Sequence, residues 1–231
     1  MKDFLWGLNK GLPIGLGYLS VSFAFGLSAV NSGLTTWQAT LISLTNLTSA
    51  GQVAGLSLMI ANASFLEMAT AQFIINIRYS LMSISLSQNI DKSMTKLHRF
   101  ITSAGITDEV FVVASLHKNK ISNKFMYGLI LLPYIGWGTG TFLGAIIGRL
   151  LPYIIISSLG IAIYAMFLAI IVPPAKKSKP ILLVVIISAT LSCIIKWLPF
   201  LQIISGGFSL IISTIIASVI VAILFPIKEK N

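Results

Sequence analysis

Residues 11–66 read GLPIGLGYLSVSFAFGLSAVNSGLTTWQATLISLTNLTSAGQVAGLSLMIANASFL, and this stretch contains no charged side chain. It lies between Lys10 and Glu67. A helix that crosses a bilayer needs about 20 mostly apolar residues. The stretch is therefore long enough for one crossing and a second apolar segment. The path of that second segment decides the topology of the chain.

The composition of the 231 residues indicates an integral membrane protein. Apolar residues make up 56% and charged residues only 10%, against about 25% charged residues in ordinary globular domains. So few charges cannot cover a soluble domain, and so much apolar surface excludes disorder. The net charge of +10 resides in short loops between apolar runs, which is typical of cytoplasmic loops rather than of nucleic-acid binding.

The basic loops predict the orientation, because cytoplasmic loops of membrane proteins carry an excess of Lys and Arg. We place these loops and both termini in the cytoplasm of a bacterial inner membrane, and we expect no removable leader before Pro13. The expected crossings are 13–30, 64–86, 125–148, 150–172, 181–197 and 203–225.

All basic loops lie in the cytoplasm if segment 37–60 does not cross the membrane as one helix, and is instead re-entrant or a helix pair broken midway. If it crosses as one helix, the amphipathic segment 105–116 must also cross, which would bury Asp108 and Glu109. We prefer the first arrangement. The prediction is an all-α polytopic bundle of six or seven spans with a broken or re-entrant helix, in a single transmembrane domain over 1–231.

Small and hydroxyl residues crowd the middle of segment 37–60, where 46–55 read NLTSAGQVAG. Irregular backbone at membrane depth is tolerated only where it is buried in protein or lines a cavity. The N-termini of broken helices suit anionic ligands. The alternative is an ordinary helix with Gly51 and Gly55 on a packing face. The binding interpretation makes Gly51 and Gln52 candidate substrate residues.

Three polar side chains interrupt the predicted crossing 64–86, namely Glu67, Asn76 and Arg78. Ionisable groups inside a span are functional candidates by default. Glu67 and Arg78 are about 16 Å apart along a straight helix, so each needs another partner. We predict that Asn76 and Arg78 bind a substrate carboxylate and that Glu67 couples transport to protons. For Glu67 the alternative is a helix end near the outer headgroups.

Thr107, Asp108 and Glu109 form a polar triplet before an apolar run. The local interpretation is a helix start, with Thr107 as N-cap and two acids in the first turn. The functional interpretation places both carboxylates at a cytoplasmic vestibule, where they attract a substrate ammonium group and belong to the coupling path.

Gly136, Gly140, Gly144 and Gly148 are spaced four apart and form one smooth helix face. This face packs inside the chain or against a partner. No enzyme motif is present: there is no phosphate loop, no G-x-S-x-G and no H-E-x-x-H. With one cysteine and no Cys/His pair at ligand spacing, we expect no enzyme activity, cofactor or metal site.

Four motifs occur in an order that resembles the AzlC-type branched-chain amino acid exporter family. They are PIGLGYLSVSFAFG at 13–26, the segment 48–55, Asn76-Ile77-Arg78 and Thr107-Asp108-Glu109. The resemblance covers roughly residues 8–200. It implies the large subunit of a two-component exporter of branched-chain amino acids, with a small AzlD-type membrane subunit as partner.

The chain departs from the family pattern at three places. The family usually has Pro-Phe-Gly at 20–22, Gly-Ala-Ser-Gln-Phe at 49–53, and His where Tyr79 stands. We predict secondary export of a branched-chain or similar hydrophobic amino acid. The alternative is a membrane scaffold or gating subunit with no substrate site of its own.

Overall fold

The computed structural model describes residues 2–117, 119–148, 152, 168, 171–201 and 203–226. These residues form helices joined by loops, with one isolated β-bridge between Ile90 and Ile121. Four of the described helices are long and apolar enough to cross a membrane. The predicted all-α membrane fold is therefore confirmed.

The helices are numbered here in chain order. They are α1 (Lys2–Asn31), α2 (Thr36–Thr45), α3 (Ser49–Ile60), α4 (Phe65–Ser87), α5 (Lys96–Ser103), α6 (Asp108–Ser115), α7 (Asn123–Ile147), α8 (Lys179–Trp197) and α9 (Gly206–Leu224). A short 3-10 helix, Pro199–Leu201, lies between the last two. The four helices apolar enough to cross are α1, α7, α8 and the part of α9 from Gly207.

Most of the predicted crossings coincide with these helices. Helix α1 is longer than the first predicted crossing, 13–30, because it begins at Lys2 and continues through Pro13. Helix α4 matches 64–86 in length but is not among the four apolar helices, so its crossing stays a prediction. The predicted crossing 150–172 lies almost wholly outside the described residues.

The segment 37–60 is broken, as one of the two sequence interpretations required. Thr35 caps α2 and forms a reciprocal capping box with Gln38. Helix α2 ends at Asn46 in extended backbone, and α3 starts three residues later. Thr48 begins α3, since its hydroxyl accepts from the Gly51 N–H at 3.3 Å. The break is thus at 46–48, and Gly51 lies in the first turn of the following helix.

Helices α1 and α7 pack backbone to backbone through glycines on both faces. A Cβ added at Gly144 would lie 2.8 Å from the carbonyl carbon of Phe23, and one at Gly15 would lie 2.8 Å from the carbonyl oxygen of Leu132. The glycine stripe of α7 therefore packs inside the chain, against α1. A matching stripe on α1 was not recognised from sequence, although it has the same spacing of four: Gly7, Gly11 and Gly15.

The chain divides into two compact units. The first contains Met1–Val53 and Ile75–Ile163, and the second contains Ala54–Ile74 and Tyr164–Asn231. Phe125, Leu129 and Val110 belong to the apolar core of the first unit. Leu58, Ala71 and Ile211 form a smaller core in the second. Each unit is described below by itself.

Candidate functional site

A buried hydrogen-bond network holds the broken helix of the first unit against α7. Gln52 is only 2% exposed. Its amide nitrogen donates to the hydroxyl of Ser43 at 2.8 Å, and its oxygen accepts from Nε1 of Trp137 at 2.9 Å. Ser43 in turn bonds Thr141 at 2.7 Å. A buried amide is stable only when it is hydrogen bonded in this way, so Gln52 joins α2, α3 and α7.

Arg78 forms an ion pair with Asp108 in the same unit. Its Nη1 lies 2.9 Å from Oδ1 and 2.8 Å from Oδ2 of the carboxylate. Nη2 donates to the hydroxyl of Tyr79 at 3.0 Å. The Tyr79 hydroxyl also lies near the side chain of Thr48. A chain of contacts thus leads from the break in the helix to the first turn of α6.

The ion pair remains partly accessible. The side chains of Arg78 and Asp108 are 40% and 42% exposed. Burial raises the pKa of the Asp108 carboxyl above its ordinary value, and the Arg78 guanidinium opposes that rise. The pair is therefore desolvated but open on one side, a setting in which an incoming charged group can compete for either partner.

Tyr18 is a site residue that sequence analysis missed, as are Ser43 and Trp137. The Tyr18 hydroxyl donates its single proton to the carboxylate of Glu109 and also hydrogen bonds the Thr107 hydroxyl, whose oxygen lies 2.6 Å away. Its ring contacts that of Trp137 edge to face, with ring centroids 5.1 Å apart. Tyr18 therefore links the acidic triplet to the Gln52 network. The sequence offered one signal, because Tyr18 and Trp137 both lie inside predicted spans. Buried Tyr and Trp side chains usually form a hydrogen bond through their polar end.

The acidic triplet does begin a helix. Thr107 adopts extended backbone and its hydroxyl accepts from the N–H of Val110 at 3.4 Å. Asp108 and Glu109 occupy the first turn of α6, where the helix dipole favours negative charge. The predicted N-cap is therefore confirmed. Both carboxylates are also engaged by other helices.

Glu67 lies in the second unit and is only 4% exposed. Its own N–H donates to Ser64 at 3.2 Å, which places Glu67 in the capped first turn of α4. Its carboxylate accepts from the Ser205 hydroxyl and from the Gly207 N–H, at the start of α9. The carboxylate is thus held at two helix N-termini, a favourable place for a buried anion.

The remaining predicted residues are placed as follows. Asn76 is half-buried on α4, two residues before Arg78. The N–H of Gly51 is donated to Thr48. Within the described ranges, no group of three or more His, Cys, Asp or Glu side chains is arranged to hold a metal ion.

Most residues of the first unit lie in a region shared with known proteins. The sequence profile of the AzlC protein family matches residues 13–151, more than half of the chain. The chain belongs to the AzlC family. The matched region of this chain contains Tyr18, Gln52, Arg78 and the acidic triplet. AzlC proteins are a transporter-type family rather than enzymes. Membership of this family is consistent with a role of the chain in membrane transport.

Relatives in the AzlC family are membrane proteins. An uncharacterized membrane protein of Archaeoglobus fulgidus is 32% identical over 75% of this chain and 76% of its own length. The inner membrane protein YgaZ of Escherichia coli is 28% identical over 63% of this chain, which spans 61% of YgaZ. An uncharacterized membrane protein of Helicobacter pylori is 27% identical over 64% of this chain and 67% of its own length. No solved structure matches the chain.

Proposed function

We propose that this AzlC-family protein exports a small hydrophobic amino acid, of the branched-chain class, by a secondary mechanism. The observation that carries the proposal is the partly exposed Arg78–Asp108 pair at the end of the contact chain from the broken helix. A zwitterionic amino acid carries one carboxylate and one ammonium group. An arginine and an aspartate that already bind each other offer a partner for each.

Binding would proceed by exchange. The substrate carboxylate takes the place of Asp108 on the Arg78 fork, and the planar guanidinium suits it. The released Asp108, beside Glu109, then accepts the substrate ammonium. Arg78 is therefore the main partner proposed for the substrate carboxylate. The N-terminus of α3 is a secondary partner, because the Gly51 N–H is donated to Thr48 in the structure.

Tyr18 and Tyr79 would act as positioning residues. Tyr18 holds Glu109 and Tyr79 holds Arg78, so each hydroxyl restricts the rotamers of one charged group. Gln52 and Asn76 are proposed to add hydrogen bonds as the helix break rearranges around the substrate. The rings of Tyr18 and Trp137 supply apolar surface for the aliphatic side chain.

Energy coupling is assigned to Glu67, with Asp108 and Glu109 as further proton-accepting groups. The basis for Glu67 is burial of a carboxylate in a predicted span. The small AzlD-type subunit and a bacterial inner membrane with both termini cytoplasmic complete the proposal. Their support is the family and the distribution of basic loops.

The test is counterflow in proteoliposomes, with and without a small AzlD-type subunit. We expect valine, leucine and isoleucine to exchange, and alanine and lysine to exchange poorly. Arg78→Lys should weaken binding of these amino acids about tenfold, because the fork is lost. Isobutylamine lacks the carboxylate and serves as the matched ligand: its binding should be the same in both proteins.

Two results would contradict the proposal. Equal affinity of wild type and Arg78→Lys for leucine would remove Arg78 from the site. Intact exchange by Arg78→Ala, together with loss of the partner complex, would identify the chain as a scaffold or gating subunit.

A further inference from the structure

A groove separate from the Arg78 site opens in the first unit, where the C-terminal end of α4 meets α5 and α7. Its volume is about 270 Å³. Apolar side chains form most of its wall: Ile84, Leu86, Ile90, Met94, Ile106, Ile121 and Met126. Four hydroxyl residues and Arg99 complete the lining. A cavity of this kind accepts an apolar ligand with a single polar end.

Three of the four hydroxyl groups of the wall are already used within their own helices. Ser87 donates to the carbonyl of Ile84 at 2.6 Å, and Thr102 donates to that of His98 at 2.7 Å. Ser103 likewise donates to Phe100 at 2.7 Å. These donors are not offered to an occupant. The wall therefore favours a hydrocarbon chain over a polar ligand.

Arg99 supplies the polar end of the groove. Its Nε donates to the carbonyl of Met94 at 3.1 Å, which orients the guanidinium. Within the described ranges Arg99 forms no ion pair, and its side chain is exposed. An oriented guanidinium with further N–H donors directed outward binds a phosphate group well.

Helix α5 has the composition of a helix that lies in a membrane interface. Leu97, Phe100 and Ile101 are 65%, 78% and 49% exposed. The same eight-residue helix also carries Lys96, His98 and Arg99. Lys92 is also exposed nearby in sequence. Basic residues beside exposed apolar ones are typical of helices that bind anionic lipid surfaces.

We propose that this groove binds an anionic phospholipid, with one acyl chain along the apolar wall and the phosphate on Arg99. An amino acid fits less well, because none of the residues lining the groove carries a carboxylate for its ammonium group. A zwitterionic phospholipid fits less well too, because α5 is basic: it carries Lys96 and Arg99 and no acidic residue. The site is independent of the proposed transport function.

The experiment is native mass spectrometry of the full chain, delipidated in detergent and titrated with phosphatidylglycerol or phosphatidylcholine of the same chains. Wild type should bind phosphatidylglycerol at least fivefold more tightly. Arg99→Gln should lose about fivefold to tenfold of that affinity. Its matched control is Lys92→Gln, which removes an equal charge outside the groove lining and should lose less than twofold.

A second pair of variants tests the apolar wall. Ser83→Phe fills the groove and should reduce phosphatidylglycerol binding, whereas Ser85→Phe, on the same helix but outside the lining, should not. Glycerol phosphate has the headgroup without the chains and should fail to displace the lipid. Four results would each overturn the proposal. They are equal binding of both lipids, equal losses in Arg99→Gln and Lys92→Gln, no difference between the two phenylalanine variants, and displacement of the lipid by glycerol phosphate.

Discussion

The backbone N–H of Gly207 donates a 2.9 Å hydrogen bond to Oε1 of Glu67, so a buried carboxylate caps the helix that starts there. Ser205, the N-cap of α9, donates to the same oxygen. Negative charge at a helix N-terminus is favourable. Glu67 therefore fastens the start of α9 to the start of α4, whatever further role it has.

The close approach of Gly207 predicts that even a methyl group is excluded there. A Cβ at this position would lie 2.7 Å from Cγ of Glu67 and from Cδ2 of Leu58. We expect Gly207→Ala to lower the free energy of unfolding by about 1–3 kcal/mol, the cost of overpacking. Thermal unfolding in detergent measures it. The control is Gly17→Ala, where nothing lies within 4 Å, and that change should be neutral or slightly stabilising. Equal melting temperatures would contradict the packing at α9.

Proton coupling through Glu67 makes a separate prediction. Leucine efflux from proteoliposomes should fall when the proton gradient is collapsed. In Glu67→Gln the efflux that remains should depend less on pH, because the amide cannot titrate while Asp108 and Glu109 still can. Wild-type pH dependence in this variant would remove Glu67 from coupling and leave it as a structural cap.

The glycine interface between α1 and α7 predicts a large effect of a single bulky residue. In Gly144→Leu the new Cβ would lie 3.0 Å from Cα of Phe23, and backbone cannot move aside as a flexible side chain can. We expect loss of the monodisperse peak in detergent gel filtration. Gly17→Leu, on the open side of α1, should elute normally. Normal elution of the Gly144→Leu protein would show that the two helices do not pack as described.

The Gln52 network is suited to a double-mutant cycle. Gln52→Leu leaves the buried Ser43 hydroxyl and Trp137 N–H without this partner, and each such loss costs about 1–3 kcal/mol. Trp137→Phe removes the indole donor as well. If the bond is formed, the unfolding cost of Gln52→Leu should be smaller in the Trp137→Phe background. Strict additivity of the two changes in urea or thermal unfolding would argue against the bond.

Membrane orientation can be tested with single cysteines. After Cys193 is replaced, cysteines at Lys92 and Lys176 should resist an impermeant thiol reagent added outside intact cells, since we expect both loops in the cytoplasm. Permeabilised cells, in which both positions should react, provide the control. Labelling at Lys92 from outside would require segment 37–60 to cross the membrane completely.

Features that depend on local sequence were predicted well. The uncharged runs indicated the helices, the crowded small residues indicated the break, and Thr107 was recognised as an N-cap. Partners across long sequence separations were not predicted. Tyr18 contacts Glu109, which is 91 residues away, and Glu67 contacts Ser205, 138 residues away. Spacing along the chain carries no information about which helices become neighbours.

The same limit applies to Arg78. Sequence analysis showed that it needed a partner from elsewhere, and the structure supplies Asp108, thirty residues away. Pairing of this kind is decided by helix packing, which depends on shape as much as on charge. The glycine stripe of α7 was visible in sequence because periodicity is a local property, but the sequence did not show which helix packs against it, because helix packing is not local.

The backbone contact between α1 and α7 has a consequence for biosynthesis. Helix α1 leaves the ribosome before α7, so the surface that its glycines fit is synthesised only from Asn123 onward. The chain between Asn31 and Asn123 is therefore synthesised while the glycine face of α1 still lacks its partner helix. Translation that stops before α7 therefore yields a fragment in which the glycine face of α1 has no matching helix.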